Sequence, residues 1–320
     1  MTKRAVVVGI NDYSQMVHPG WSFPTLHGCV NDANAMYHLL IDVFGFDPTQ
    51  VFLYTDRMAS SLNIQRALAH TLQASEAGDV VCFYFSGHGG RFSEEPGHLD
   101  SDRAYEGIIP ASGDFITDFD LFRLADSLNP SFVNFTVILD SCFSGGLQNQ
   151  DELIKCRTFT LAPERAYIDT AEPYFDTIIP IGVCIPPSST VMNNNVTNVH
   201  RGSDGMPDMD IDPDKTLVQF SKSTLISASR FYELSMEDSF NGVDHGFFTQ
   251  SFLELVNSRN APGLFNFSIS YRDLMGELHT RVAEKVVAHR YPSGYTQTPQ
   301  LMGQMNRMDE AFLAGWTDSR

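Results

Sequence analysis

Short, continuous apolar runs recur through the first 150 residues, separated by stretches in which apolar residues return every three or four positions. This alternation is typical of parallel strands covered by helices on both faces. The runs predict strands at residues 5–10, 51–54, 80–85 and 136–139. The pattern therefore predicts an α/β fold of three layers, with a mostly parallel central sheet between helices.

The stretches between these runs predict helices with one apolar face. The first face comprises Ala33, Tyr37, Leu40, Ile41 and Phe44, and Gly45 ends the helix. A second helix is predicted at residues 61–73, and Thr117 with Asp120 predicts a capping box at the start of a third. Because open parallel sheets bind ligands beyond the carboxyl ends of their strands, we expect the functional site there.

The periodic pattern is lost after the fourth predicted strand. Residues 186–189, 193–195 and 203–214 are rich in Pro, Ser, Asn and acidic residues, which is typical of exposed connecting chain. Regular patterns return with a strand at residues 224–228 and helices near 247–256 and 271–286. We predict a large catalytic segment (1–147), an irregular connecting region (148–215) and a small segment (216–320) that completes the same domain.

The composition narrows the function classes. Among 320 residues, 39 acidic and 21 basic side chains give a formal net charge of −18, which disfavours nucleic acid and anionic membrane surfaces as partners. No apolar run is long enough for a membrane helix, and no secretory signal is recognisable. The five cysteines form an odd set without CxxC spacing. We therefore expect reduced thiols and a cytoplasmic location.

Two of the predicted strands run into glycine-flanked reactive residues. The strand at 80–85 is followed by Ser-Gly-His88-Gly-Gly, and the strand at 136–139 by Asp-Ser-Cys142-Phe-Ser-Gly. An imidazole that can deprotonate a thiol is what Cys/His nucleophilic catalysis requires. The amides of Gly89 and Cys142 are candidates for stabilising the oxyanion of a tetrahedral intermediate. Taken singly, Cys142 could be a buried core residue and His88 an ordinary loop histidine.

These two boxes resemble the SGHG and DSCxSG boxes of metacaspases and their prokaryotic caspase-like relatives, which share the caspase-hemoglobinase fold. The resemblance continues at residues 9–13, 28–33 and 297–300. It implies a three-layer caspase-like fold and a cysteine endopeptidase. His88 would be the general base and acid, and Cys142 the nucleophile. Zymogen behaviour and a stress, defence or cell-death pathway follow by analogy only.

The resemblance also implies a primary specificity pocket for a positive side chain. Asp32 and Asp140 match the family's two pocket aspartates, and two carboxylates would favour Arg over Lys because the planar guanidinium can meet both. Cys29 and Ser86 are further candidates for the pocket lining, and Ser227 for the substrate groove. The alternatives are an acid in the first turn of a helix for Asp32 and a strand-end cap for Asp140.

Calcium is a possible cofactor, although none is required by this interpretation. Many metacaspases resemble one another in an acidic loop after the histidine, and here the oxygen ligands would be Asp100, Asp102, Glu106, Asp118 and Asp120. Phe119 and Asn149 depart from the acids often found in the family. A solvated acidic loop with a capping box explains the same residues.

The connecting region offers basic residues for self-cleavage or for an upstream activating protease. Arg201 is the leading candidate, and Lys155, Arg157 and Arg165 are others. An insertion without regulatory meaning is equally compatible with the sequence. We expect a monomer whose partners are protein substrates with exposed Arg or Lys.

Two other function classes stay open. One is a catalytically silent binding or scaffold module of the same fold, which would have no need of the complete set His88, Cys142, Asp32 and Asp140. The other is a metal-dependent hydrolase using His27, Cys29, His88 and Cys142, which lack close ligand spacing.

Overall fold

A computed structural model of the chain describes residues 1–17, 21–93, 104–118, 120–121, 124–125, 132–141, 160–161, 223–230, 233–259, 268–289, 295–303 and 307–315. The described helices include α1 (Cys29–Asp42), α2 (Ser61–Gln73), α3 (Phe247–Arg259) and α4 (Tyr271–Ala288), and short 3-10 helices lie at Pro48–Gln50 and Asp56–Met58. The strands are β1 (Lys3–Gly9), β2 (Trp21–Ser22), β3 (Val51–Thr55), β4 (Val80–Ser86), β5 (Gly89–Ser93), β6 (Ala104–Ile108), β7 (Ile116–Thr117), β8 (Asn134–Asp140), β9 (Thr160–Leu161), β10 (Ser223–Ser227), β11 (Glu237–Phe240), β12 (Val243–Gly246) and β13 (Gln300–Met302).

The central sheet has six strands in the order β13-β10-β8-β4-β1-β3. Five of them run parallel, and β13 pairs antiparallel with β10 at one edge. The middle strands β4 and β8 are buried along their whole length, as expected for strands covered on both faces. The predicted α/β fold is confirmed, and each predicted strand of the sheet agrees with an observed one to within two residues at either end.

Helices cover the two faces of the sheet. One face packs against α2 and against Leu121 and Leu124, and the other packs against α1, α3 and α4. Alternate residues of each strand supply the two cores, so that Val6 and Val8 face α2 while Ala5 and Val7 face α1. Fully burying such a side chain contributes about 1.5–3 kcal/mol, which makes these clusters the main source of stability.

Side chains cap several helices as local sequence rules require. Ser60 accepts from the N–H of Asn63 at the start of α2, and Ser270 accepts from the N–H of Asp273 at the start of α4. The predicted capping box is present: Asp120 Oδ2 accepts from Thr117 N at 2.8 Å, and Thr117 Oγ1 accepts from Asp120 N at 3.2 Å.

Strands β11 and β12 form an antiparallel hairpin that the apolar pattern does not predict. Its turn is Asn241-Gly242, with φ values of 55° and 85°. Two consecutive positive φ angles are typical of the two-residue turn that joins tight hairpins, where Asn-Gly is favoured. The hairpin contacts α1.

The three predicted segments span residues that the structure leaves outside its description, so their boundaries stay a prediction. Within the described residues, no helix is both long and apolar enough to cross a membrane.

Candidate active site

Three neighbouring strands end together at the edge of the sheet that carries the predicted site. Gly9, Ser86 and Asp140 are the last residues of β1, β4 and β8, and they are partners in the parallel register. His88 follows β4 by two residues, and Ser141 follows β8 directly. The edge therefore presents His88 beside the strand that leads into Cys142. Cys142 itself lies outside the described residues.

The imidazole of His88 is buried and held by contacts on several sides. The backbone N–H of His88 donates to the Tyr13 hydroxyl at 2.7 Å, and the backbone carbonyl of His88 accepts from Ile109 N at 2.9 Å. The rings of Tyr13 and His88 lie 4.5 Å apart between centroids, and Phe23 lies 6.3 Å away. These contacts fix the imidazole in one position at the strand end.

The hydrogen-bond partner of His88 Nε2 indicates which ring nitrogen carries the proton. Nε2 lies 2.7 Å from the carbonyl oxygen of Pro24. Because a carbonyl oxygen can only accept, Nε2 carries the proton of the neutral ring and Nδ1 carries the lone pair. Nδ1 is thus the basic nitrogen of His88.

Gly87 permits this packing. A Cβ at position 87 would lie 2.5 Å from the Tyr13 hydroxyl and 2.8 Å from the ring of Phe85. Real Cβ atoms do not approach other atoms so closely, so any larger residue would displace Tyr13 from the imidazole.

Gly89, the predicted oxyanion donor, begins β5 and pairs with Ile108. Its role stays a prediction.

Asp32 is fully buried at the start of α1 and accepts hydrogen bonds from two other elements. Its Oδ2 accepts from Ser86 Oγ at 3.0 Å, and its Oδ1 lies 2.8 Å from His245 Nδ1. The backbone N–H of Gly246 donates to both oxygens, at 3.3 and 3.1 Å. The hairpin β11–β12 therefore supplies part of the environment of the predicted pocket acid.

Asp140 is equally buried, and its carboxylate accepts hydrogen bonds from residues of the second half of the chain. Oδ1 accepts from Ser235 Oγ at 2.8 Å, and Oδ2 accepts from the backbone N–H and the hydroxyl of Thr249, at 3.1 and 2.6 Å. Thr249 lies in the first turn of α3, where the helix dipole also stabilises a carboxylate.

Ser86 contacts one of the two aspartates and is the strand neighbour of the other. It donates to Asp32, and it is the register partner of Asp140, so that both side chains point to the sheet face covered by α1 and α3. We call Asp32, Ser86 and Asp140 the carboxylate cluster. Of the other predicted pocket residues, Cys29 is buried at the start of α1, one turn before Asp32.

Ser227 lies on the opposite side of the sheet. It pairs with Leu139, which faces the α2 core, and its hydroxyl donates to the carbonyl of Ser229 at 3.0 Å. The structure therefore does not join Ser227 to the carboxylate cluster. Its place in the substrate groove stays a prediction.

Long-range contacts hold α1, and with it Asp32, in place. Gly28 precedes the helix and caps it with no side chain. Instead Asn11 Oδ1 accepts from Cys29 N at 2.9 Å, and the Glu237 carboxylate accepts from His27 N and Gly28 N at 3.0 and 3.1 Å. A Cβ on Gly9 would lie 2.3 Å from the Cys29 carbonyl oxygen, so glycine is required where β1 meets the helix.

The metal predictions receive no support from the part of the chain that is described, where no three His, Cys, Asp or Glu side chains could hold an ion together. Asp120 uses its carboxylate in the capping box. Asp100 and Asp102 lie outside the described residues, as do all four predicted processing residues, Arg201, Arg165, Arg157 and Lys155. Calcium binding and processing stay predictions.

Cys82 can be set aside as a nucleophile. It lies inside β4, and burial raises the pKa of its thiol to about 12. A thiol with such a pKa is almost entirely protonated at neutral pH and serves as a small apolar core residue.

Fold and site together define a three-layer α/β domain that carries a buried, oriented imidazole and a carboxylate cluster at adjacent parallel strand ends. The chain belongs to the peptidase C14 caspase-domain family, whose match covers residues 2–309. The resemblance noted from the sequence boxes is thereby confirmed at the level of the family.

Curated relatives are metacaspases. Metacaspase-4 of Arabidopsis thaliana is 40% identical over 152 residues, which covers 46% of this chain and 34% of that protein. Metacaspase-7 of the same plant is 34% identical over 170 residues, covering 52% of this chain and 40% of the relative. The matched part of the chain thus spans well under half the length of these relatives.

Among solved structures, protein GSU0716 from Geobacter sulfurreducens aligns with a TM-score of 0.60 at 19% identity, covering 99% of this chain and 100% of the other. At that identity the likeness supports the caspase-like fold.

Proposed function

We propose that the chain is a cysteine endopeptidase that cleaves peptide bonds after Arg and, less well, after Lys, with Cys142 as nucleophile and His88 as general base and acid. The observation that carries the proposal is the contact of His88 Nε2 with the Pro24 carbonyl oxygen, at 2.7 Å. The contact with Pro24 leaves the lone pair on Nδ1, at the strand end beside the strand that runs into Cys142. Membership of the caspase-domain family supports the same assignment.

In the first step, Nδ1 of His88 takes the proton from Cys142 Sγ, and the sulfur attacks the carbonyl carbon of the scissile bond. The amides of Gly89 and Cys142 donate to the resulting oxyanion. His88 then protonates the leaving amine, the C–N bond breaks and a thioester remains. A water molecule gives a proton to Nδ1 and attacks the thioester, and Cys142 leaves with that proton restored to its sulfur.

The hydrogen bond to Pro24 acts in both steps. When Nδ1 gains a proton, the ring becomes a cation, and the carbonyl dipole at Nε2 stabilises that charge. The same bond prevents the ring from turning its basic nitrogen away. Pro24 and Tyr13 are therefore positioning residues for His88.

The carboxylate cluster is the proposed binding site for the substrate cation. Asp32 accepts from Ser86, and Asp140 is the register partner of Ser86, so both acids lie next to this serine. Two neighbouring acids suit a planar guanidinium, which can donate to two carboxylates. An ammonium group is a compact charge and would satisfy them less well. An aspartate in the same position would be repelled, so we propose the order Arg, then Lys, with no cleavage after Asp.

A panel of fluorogenic peptides ending in Arg, Lys or Asp tests this proposal, with the Cys142→Ala protein as the matched control. We expect turnover of Arg above Lys, none of Asp, and none by the control. Turnover of Asp peptides would contradict the proposed pocket. Absence of turnover for every peptide, with and without calcium, would instead support the silent binding module.

Calcium stimulation and processing extend the proposal. Assays with a chelator and with added calcium address the acidic loop of Asp100, Asp102 and Asp118. Mass spectrometry of the purified chain addresses Arg201, Lys155, Arg157 and Arg165. Fragments that persist in the Cys142→Ala protein would exclude self-processing and point to another protease.

A further inference from the structure

His245 stands at the carboxylate cluster without a part in the proposed reaction. It lies in β12, and its Nδ1 is 2.8 Å from Asp32 Oδ1. The His245 side chain is 12% exposed and that of Asp32 is 0% exposed. The contact therefore joins a titratable residue of the hairpin to a buried acid on α1.

The two protonation states of His245 have different consequences for Asp32. A carboxylate oxygen accepts, so Nδ1 donates in either state. Neutral His245 supplies one hydrogen bond that orients the carboxylate and adds no positive charge beside it. Protonated His245 adds a full positive charge at ion-pair distance, and a second cation then gains less from the same carboxylate.

We propose that His245 is a positioning residue for Asp32 whose protonation competes with the substrate cation, so that the chain's own imidazole sets how tightly Arg is held. This inference rests on the proposed function, because it takes Asp32 as the acid that meets the substrate's guanidinium. The competition acts on binding. The chemical step belongs to His88 and Cys142.

Other ionisable groups lie on the elements packed against His245. In β11, Asp238 is its register partner and lies 3.9 Å from His289 Nε2, and Glu237 is bound to the start of α1. Asp244 precedes His245 in β12, and the first turn of α3 contains no acidic residue. The substitutions His245→Asn and His38→Asn leave all of these groups in place, so the same groups are present in every protein compared.

Calorimetry with acetyl-arginine amide tests the proposal in the full chain carrying Cys142→Ala, which binds without turnover. We expect binding about tenfold weaker at pH 5.5 than at pH 7.5, within the usual range for coupled sites. His245→Asn keeps an N–H donor for Asp32 but cannot become charged. In that variant we expect the pH dependence to be reduced to within about twofold.

His38→Asn is the matched control, because His38 lies on the same helix as Asp32, near Asp42 at 4.0 Å, but is exposed. It should keep the pH dependence of the parent. By reciprocity, ligand binding should also release protons from the parent between these pH values, and repeating the titration in buffers of different ionisation enthalpy measures this without any substitution at His245.

The outcomes separate the two proposals. Binding that varies with pH equally in the parent and in His245→Asn, or that shows no proton release in the parent, overturns the role of His245 and leaves the Arg pocket in place. Absence of binding in every protein at every pH overturns the pocket and the role of His245 together. In the active enzyme, the effect should appear in KM for Arg peptides and be absent from kcat.

Discussion

The two halves of the candidate site are built from different parts of the chain. His88 is held by Tyr13, Pro24 and Ile109, all from the first half of the sequence. Asp32 and Asp140 are held largely by groups between residues 235 and 249, contributed by the second half. The imidazole of His88 therefore depends on one part of the chain, whereas the proposed cation site depends on both.

The forces differ as well. Ring contacts and hydrogen bonds among neutral groups orient His88, and each such hydrogen bond contributes about 0.5–1.5 kcal/mol. The hydrogen bonds to Asp32 and Asp140 have a charged acceptor, and bonds of this kind contribute about 1.5–3 kcal/mol each. This contrast predicts that substitutions around His88 lower kcat, whereas substitutions around Asp32 and Asp140 weaken selection of the substrate.

Replacing His88 with Asn should give the largest effect. The variant loses the proton acceptor, and kcat for Arg peptides should fall about 10³-fold, as expected when a general base is removed. Steady-state kinetics measure this, and circular dichroism shows whether the fold persists. A kcat within tenfold of the parent would show that another group activates Cys142.

The next largest effect is expected for Asp140→Asn. The amide has nearly the same shape but no charge, so kcat/KM for Arg peptides should fall about 100-fold, which corresponds to about 2.7 kcal/mol. Asp309→Asn is the control, since Asp309 is an exposed acid paired with Arg272. Equal kcat/KM values for Asp140→Asn and the parent would remove Asp140 from the cation site.

Gly87→Ala tests the packing of His88 without touching the imidazole. The added Cβ would displace the Tyr13 ring, and an overpacked core costs about 1–3 kcal/mol of unfolding free energy. We expect kcat to fall about tenfold while the preference for Arg over Lys is unchanged. A shift in that preference would show that the two halves of the site are coupled through β4.

Asp79 precedes the other end of β4 and should affect stability alone. Burial by itself would raise its pKa, but the N–H groups of Thr2 and Glu76 and the Arg4 guanidinium together lower it. A carboxyl whose pKa is lower in the folded state stabilises the fold at neutral pH, and that contribution is lost as pH falls through the folded pKa.

Asp79→Asn should therefore lower the unfolding free energy by about 1–3 kcal/mol at pH 7 and by progressively less below about pH 4. Urea unfolding at several pH values measures the difference. A penalty independent of pH would mean that shape, and not charge, makes Asp79 important.

The smallest effect is expected for Gly276→Ala in the exposed middle of α4. A Cβ at this position meets no atom within 4 Å. Replacing a helical glycine with alanine stabilises by about 0.5–1 kcal/mol, so the melting temperature should rise slightly while kinetics stay unchanged. Lower stability in this variant would contradict the open surface described for α4, and the variant also serves as the glycine control for Gly87→Ala.

The parts of the fold that the sequence predicted are those with a strong periodic signal. Residues 80–85 form a continuous apolar run because β4 is buried on both faces, and the buried face of α2 includes Ile64, Leu68 and Leu72, which are spaced four residues apart. The hairpin β11–β12 has no apolar run, since its residues are mostly polar. Its one signal was Asn241-Gly242, which a search for tight turns would have found.

Prediction of the site followed the same division. Asp32 and Asp140 stand in short sequence segments that resemble those of a known family. Their partners do not: His245 lies 213 positions from Asp32, and Thr249 lies 109 positions from Asp140. Single polar residues at such separations have no pattern to mark them, and only the three-dimensional fold brings them to the carboxylates.

The position of β10 has a consequence for the integrity of the molecule. Strand β10 follows the predicted connecting region in the sequence, yet it forms a ladder with β8, which precedes that region. A single break in the polypeptide between them would cut no strand pairing of the central sheet. The two parts can be produced as separate polypeptides, one ending and the other beginning within that stretch. We expect them to associate and to form the same sheet, as the fragments of a split protein do.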